Sequence, residues 1–268
     1  MALKLLKFAL VILRYRVHIS FIYFFLVWFA WKNQTSANVH WGVVCAFTFW
    51  HYALYLFDRA YDAEKDILSQ QEEAVPTAQK NYLILVSILI STIPFFIFTF
   101  YKLPLLPYLF LFPFTFLYTY PIFYGQKRFK DFFLVKNLYS SVIIWTLSIF
   151  FMLKCYANIP NADVLFYFKS FGGLLLMTTI GEIHWDMRDI ASDTKNGVNT
   201  LPVVLGLNQT KWIIVVALIL SYFLGHLLSS FSLVMMLVLV YLAGKKVSNF
   251  IYHLPPLVAL FNFITHVA

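Results

Sequence analysis

Charge is what this chain has least of. Only 12% of its 268 residues are charged, against about 25% in soluble globular domains. So few charges cannot cover a water-exposed surface, and 61% of the residues are hydrophobic while 20% are aromatic. A water-soluble enzyme, a disordered tail and a single-anchor receptor are excluded. Cysteine is nearly absent. Cys45 and Cys155 build neither a disulfide framework nor a metal-type spacing, and Cys45, inside an apolar run, reads as a small packing residue. The seven histidines show no ligand-like pairing, which leaves zinc chemistry without support. Ten-residue alternations are missing too, so the expected class is an all-α polytopic membrane protein and not a β-barrel.

Long apolar runs fill the chain. A membrane-spanning helix takes about 20 apolar residues, and charged punctuation divides the sequence into nine candidates. They are Val17–Trp31, Trp41–Phe57, Tyr82–Phe100, Leu105–Phe123, Leu138–Met152, Leu165–Ile183, Trp212–Leu228, Leu233–Ala243 and Phe250–Val267. The eighth is short, and Pro255 and Pro256 are expected to kink the ninth. The N-terminal MALKLLKFALVILRYR has a short apolar core ending at Arg14 and Arg16, with no small-residue cleavage site after it. It reads as a retained interfacial helix. Residues 1–268 are expected to form a single transmembrane domain.

Basic residues alternate between the loops. Lys4, Lys7, Arg14, Arg16, Arg59, Lys65, Lys80, Lys127, Arg128, Lys130, Lys136, Arg188, Lys195, Lys211, Lys245 and Lys246 all fall on one side of the nine-span scheme. Lys32, Lys102, Lys154 and Lys169 fall on the other. The excess marks the cytoplasmic face, with the N-terminus inside and the C-terminus outside. The net charge of +8 is therefore topology. No groove-binding motif accompanies it, so no nucleic-acid partner is expected.

The acids are distributed quite differently. Of 12, only Asp131 and Asp163 stand apart. Asp58, Asp62, Glu64, Asp66, Glu72 and Glu73 follow the second run, and Glu182, Asp186, Asp189 and Asp193 follow the sixth. Asp58, Asp62 and Asp66 recur at i, i+4, i+8, which predicts one helical face, and the second group also reads as one face. Like charges at that spacing repel. Two solvated helix-end loops are the plain alternative, but two matched stripes on one side of the membrane point to a cation between them. Magnesium suits such oxygen ligands, taking one or two carboxylates together with phosphate oxygens and waters.

The motifs themselves carry a resemblance. FDRAYDAEKD (Phe57–Asp66) resembles the first aspartate motif, N-x-x-x-D-x-x-x-D, of the UbiA superfamily of intramembrane prenyltransferases. DMRDIASDTKNGVNTLPVVLG (Asp186–Gly206) resembles the second, D-x-x-D-x-x-x-D with its trailing T-L-P and Gly. Between them, YPIFYGQKRFKDFFLVKNL (Tyr120–Leu138) is similar to the family's Tyr/Lys-rich loop. One position departs: Leu54 stands where the first motif opens with Asn. The resemblance implies a helical bundle around a central cavity, with magnesium holding a polyprenyl diphosphate. It implies Asp58, Asp62, Asp186, Asp189 and Asp193 as magnesium ligands. Lys127 is implied as a diphosphate contact, with Arg128 and Tyr124 as further candidates; Arg16, just ahead of the first run, either reaches the diphosphate or an acidic acceptor or is a plain positive-inside anchor. Asp58, Asp62, Asp186 and Asp189 are the expected catalytic set.

The chemistry is coherent with those residues. Breaking an allylic C–O bond leaves a diphosphate anion and an allylic cation, and magnesium with Lys127 would stabilise the former. The cation needs a dry cavity faced with aromatic rings. Most of the rings pack helices or face lipid, so no single one is assigned. Arg59 points off the aspartate face and is expected in a salt bridge or a phospholipid contact. His51, on the Asp58 face and deeper, is either a functional group or a hydrogen-bonded packing residue. Glu182 either orients a metal-bound water or meets the acceptor. The first expectation is a prenyltransferase with an aromatic or other lipid-soluble acceptor, needing no protein partner. A terpene cyclase on the same scaffold is the second. A cation transporter is the third, disfavoured because no acid lies at mid-membrane and broken-helix Gly/Pro pairs are not evident in matching halves.

Overall fold

In lipid, backbone N–H and C=O groups must pair within their own segment, so long Leu/Ile/Phe runs fold as helices. The computed structural model describes residues 11–34, 38–68, 74–122, 128–133, 135–157, 164–223, 227–245 and 249–267, and among these there is no strand. The chain divides into two compact units. One comprises Met1–Trp28 and Val39–Phe129; the other comprises Phe29–Asn38 and Lys130–Ala268.

The first unit holds the start of α1 (Val17–Gln34), α2 (Trp41–Tyr61), the short α3 (Ala63–Leu68), α4 (Lys80–Phe100), α5 (Leu106–Leu111) and α6 (Phe114–Leu117). His40 caps α2 by accepting from the Val43 N–H at 3.4 Å. α2 and α4 are tied by Ser87, whose hydroxyl donates to the Ala53 carbonyl at 2.7 Å. Leu56, Ala60, Ala63, Val75 and Leu83 close an apolar cluster beneath the first aspartates. The fourth apolar run is not the single helix expected over Leu105–Phe123. It breaks at Phe112–Pro113 into α5 and α6 and leaves regular helix after Leu117. Proline at 113 removes an N–H and sets its ring against the preceding turn.

In the second unit α7 (Val135–Leu138), a π-helical stretch (Tyr139–Leu147) and α8 (Ser148–Tyr156) run on from one another. They are followed by α9 (Val164–Arg188), α10 (Ile190–Lys195), α11 (Leu201–Leu205), α12 (Leu207–Phe223), α13 (Ser230–Leu242) and α14 (Pro255–Val267). Pro255 and Pro256 do not kink the ninth run as expected. A 3-10 turn covers Asn249–His253, and α14 begins at Pro255, because proline's missing N–H costs nothing in a first turn. Gly206 joins α11 to α12 at φ 83°, a left-handed conformation that glycine adopts without strain. Gly173 of α9 lies against the segment ahead of α13, where a Cβ would stand 2.6 Å from the Leu227 carbonyl oxygen. Asn262 of α14 donates to that same carbonyl at 3.0 Å.

Two described helical stretches, Thr77–Phe100 and Val135–Tyr156, are long and apolar enough to span a membrane, and shorter apolar helices accompany them. Their outer sides are greasy. α4 exposes Leu85, Leu89, Phe96 and Phe100, and α12 exposes Trp212, Val216 and Leu220. Apolar surface on that scale is built for lipid.

Candidate functional site

In the first unit Asp58 lies in the last turn of α2, and Asp62 is that helix's C-cap. Thr119, just past α6, donates to Asp58 Oδ1 at 2.8 Å. Arg128 reaches Asp62 Oδ1 at 2.8 Å, with both side chains largely shielded. Asp66 does not join them. It pairs with Arg59, and both are buried. The i, i+4, i+8 register is kept along the backbone, the Asp62 N–H donating to the Asp58 carbonyl at 3.0 Å and the Asp66 N–H to the Asp62 carbonyl at 2.8 Å, but the Asp66 carboxylate is taken by Arg59. Arg59, in the last turn of α2, holds Asp66 of α3 and also donates to the Arg14 carbonyl at 3.3 Å. The salt bridge expected of Arg59 is thus present, with an acid of the motif itself.

The other first-unit candidates fall as follows. Leu54, one turn before Asp58, is fully buried. His51 stacks on Tyr23 with ring centroids 3.9 Å apart, and its Nδ1 lies 3.2 Å from the Ser20 hydroxyl. It belongs to the packing between α1 and α2. Arg16 is half-buried in a left-handed turn (φ 56°) just ahead of α1. Lys127 and Tyr124 lie outside the described residues.

The second unit builds the denser cluster. Asp186, near the C-terminal end of α9, is fully buried. Lys136 forms an ion pair with its Oδ1, and Asn137 donates to its Oδ2 at 3.0 Å. One turn back along α9, Glu182 accepts from the Ser140 hydroxyl at 2.5 Å. Asp189 interrupts the helix between α9 and α10 and is gripped by Arg188, Nε to Oδ1 at 2.8 Å and Nη2 to Oδ2 at 3.0 Å. Asp193, in α10, is fully buried. The helix is interrupted at Asp189 alone, and backbone hydrogen bonds from Asp189 N–H to the Asp186 carbonyl (3.1 Å) and from Asp193 N–H to the Asp189 carbonyl (2.8 Å) carry the chain through the interruption. His184 faces elsewhere, its Nε2 lying 3.1 Å from the Leu239 carbonyl.

Sequence reasoning missed Lys136, Asn137 and Thr119 as partners of the motif acids. Lys136 entered only the basic-loop count. The available signal was the Lys-Asn pair set directly before an apolar run and four residues ahead of Ser140–Ser141, a polar strip at helical spacing. Among the described residues no group of three or more His, Cys, Asp or Glu side chains is placed to hold a metal by itself. Each unit instead sets buried carboxylates against cationic side chains at a helix end.

Such acids and cations, carried by apolar helices, mark an integral membrane protein with paired charges buried at its helix ends. The chain belongs to the UbiA prenyltransferase family, whose sequence model matches residues 19–262. Two solved structures of a UbiA homologue from Archaeoglobus fulgidus share the fold. The one bound to DMAPP and Mg2+ has a TM-score of 0.58 at 14% identity, over 96% of this chain and 97% of that one. The one bound to GPP and Mg2+ has the same score and identity, over 95% and 97%. The apo structure of a UbiA homologue from Aeropyrum pernix K1 has a TM-score of 0.56 at 12% identity, over 92% and 97%. No curated protein matches the sequence. The all-helical, UbiA-like fold expected from the motifs is the fold found.

Proposed function

We propose that the protein is a magnesium-dependent intramembrane prenyltransferase. It ionises a polyprenyl diphosphate and joins the prenyl group to an aromatic or other lipid-soluble acceptor. The observation that carries the reading is Asp186, the first acid of the second motif, buried and held by both Lys136 and Asn137. A carboxylate removed from water costs several kcal/mol unless it is paired, and in this reading an arriving diphosphate and its cation exchange with these polar partners. The relatives bound to DMAPP or GPP with Mg2+ support the same ligand class.

The donor set fits magnesium. Asp58 and Asp62 in one motif, and Asp186, Asp189 and Asp193 in the other, supply hard oxygen atoms. Protein ligands too sparse to hold an ion alone suit a cation that keeps waters and takes substrate phosphate oxygens. When bound, magnesium would neutralise charge on the departing diphosphate. Arg128 and Lys136 would bind diphosphate oxygens, a role the motifs also assign to Lys127 and Tyr124 and offer to Arg16. The surrounding apolar helices exclude water, which strengthens each of these contacts.

The test is diphosphate release from labelled allylic diphosphates of five to twenty carbons by the protein in detergent. Release should require Mg2+, and Asp62→Asn and Asp186→Asn should each lower it by about two orders of magnitude, as expected for lost charge stabilisation. Full activity in EDTA would overturn the proposal. Leu54 favours a second reading, a terpene cyclase, since a buried leucine beside Asp58 leaves no polar group there. Hydrocarbon formed without any acceptor would select it.

A further inference from the structure

Glu182 is the one acid near the second motif that the proposed ion and diphosphate contacts do not use. It lies one turn deeper into the apolar run than Asp186, on the same helix, and is only 6% exposed. An ionisable side chain at such a place needs a reason, because carboxylates within apolar spans are rare and costly. Packing alone gives none: alanine, methionine or leucine would fill the position more cheaply. Two features keep the carboxylate usable. Ser140, on the π-helical stretch, donates to Oε1 at 2.5 Å. Glu182 also lines a small cavity with Trp145, Met177, Thr178, Gly181 and Trp185. Its volume of about 10 Å³ matches one water-sized group. A serine hydroxyl on one oxygen and a water-sized space beside the side chain are what an ionised carboxylate needs in an apolar bundle.

We propose that Glu182 takes the proton that the acceptor loses in the transfer step, with Ser140 as its positioning residue. The inference rests on the prenyltransferase reading. The allylic C–O bond breaks with its electron pair leaving on diphosphate. The acceptor's nucleophilic carbon or oxygen forms the new bond to the allylic carbon. The hydrogen on that atom departs as a proton to a Glu182 carboxylate oxygen, and its bonding pair stays with the acceptor. The acceptor class is therefore one whose reacting atom carries a hydrogen to lose: the oxygen of a phenol, enol or alcohol, or a ring carbon of an aromatic that sheds its hydrogen once the new bond has formed. The carboxylate that receives the proton stands one turn from the carboxylate at the diphosphate end. Ionisation and proton removal are thus separate jobs for two acids on one helix, and they can be separated experimentally.

The experiment uses the full chain in lipid nanodiscs with Mg2+, labelled allylic diphosphates of five to twenty carbons, and total lipid extract from membranes of the producing cells as the acceptor source. Diphosphate released and prenylated lipid formed are measured together. The wild type should give equal amounts. Glu182→Gln should keep diphosphate release within about threefold while prenylated lipid falls at least tenfold, the difference appearing as prenyl alcohol from capture by water. Glu182→Asp should restore part of the product, and Ser140→Ala should give an intermediate ratio, which a variant damaged only in folding would not show. Unchanged product from Glu182→Gln overturns the assignment. So does a parallel loss of release and product, in Glu182→Gln or, if that variant does not fold, in Ser140→Ala. Absence of diphosphate release from the wild type overturns the prenyltransferase reading itself, and Glu182's role with it.

Discussion

Asp66 and Asp186 show how the same side chain takes opposite jobs. Both are buried and both meet a cation. Asp66 is enclosed with Arg59, whose guanidinium is also fixed to the Arg14 carbonyl; this pair fastens the end of α2 to the segment ahead of α1. Lys136 retains 21% side-chain exposure, so it can turn toward a ligand. The two sites should separate under substitution. Asp66→Ala leaves Arg59 buried without its acid and should cost about 3–5 kcal/mol, read as a lowered unfolding temperature in detergent, with an unaltered Mg2+ requirement in whatever remains folded. Lys136→Met keeps the stem's apolar bulk and removes the charge. It should lower diphosphate release about a hundredfold while changing the Mg2+ concentration for half-activity. A Lys136→Met protein of normal activity would place the diphosphate elsewhere.

At the scale of elements, hydrophobic runs mark where helices lie but not where they break. Each of the nine runs contains helix, because composition alone dictates it in lipid. The breaks come from single residues whose effect depends on neighbours. Pro113 divides its run, whereas Pro94 sits inside α4 without ending it; there the Tyr108 hydroxyl reaches back to the Ser91 carbonyl at 3.0 Å and braces the turn. The aspartate motifs were legible as sequence. Which acid meets which cation was not, since Asp62–Arg128 and Asp186–Lys136 join residues 66 and 50 positions apart. A further test belongs here. Gly173 permits α9 to approach the Leu227 carbonyl, and backbone cannot yield as a flexible side chain would. Gly173→Ala should destabilise the second unit by about 1–3 kcal/mol, and unfolding in detergent would measure it. Gly172→Ala, whose Cβ would meet only Leu227 side-chain carbons at ordinary contact distance, should be neutral.

For the molecule as a whole, the question is which side of the membrane the aspartates face, since a diphosphate cannot cross hydrocarbon and must enter from the side that binds it. The asymmetry of basic residues supplies an expectation. Lys32, Lys102, Lys154 and Lys169 are the few on one side, and the remaining Lys and Arg fall on the same side as the loops that carry Asp58–Asp66 and Asp186–Asp193. Short loops with excess Lys and Arg stay cytoplasmic, so both motifs are expected there. Single cysteines can check this in a chain lacking Cys45 and Cys155. Thr77 and Thr194 are exposed and flank the two motifs, and Lys154 is exposed on a helix end assigned to the other side. In intact cells an impermeant maleimide should label Lys154→Cys but neither Thr77→Cys nor Thr194→Cys. After the cytoplasmic face is opened, both threonine variants should react. Labelling of Thr77→Cys or Thr194→Cys from outside would reverse the assignment and move the entry of the charged substrate to the opposite face.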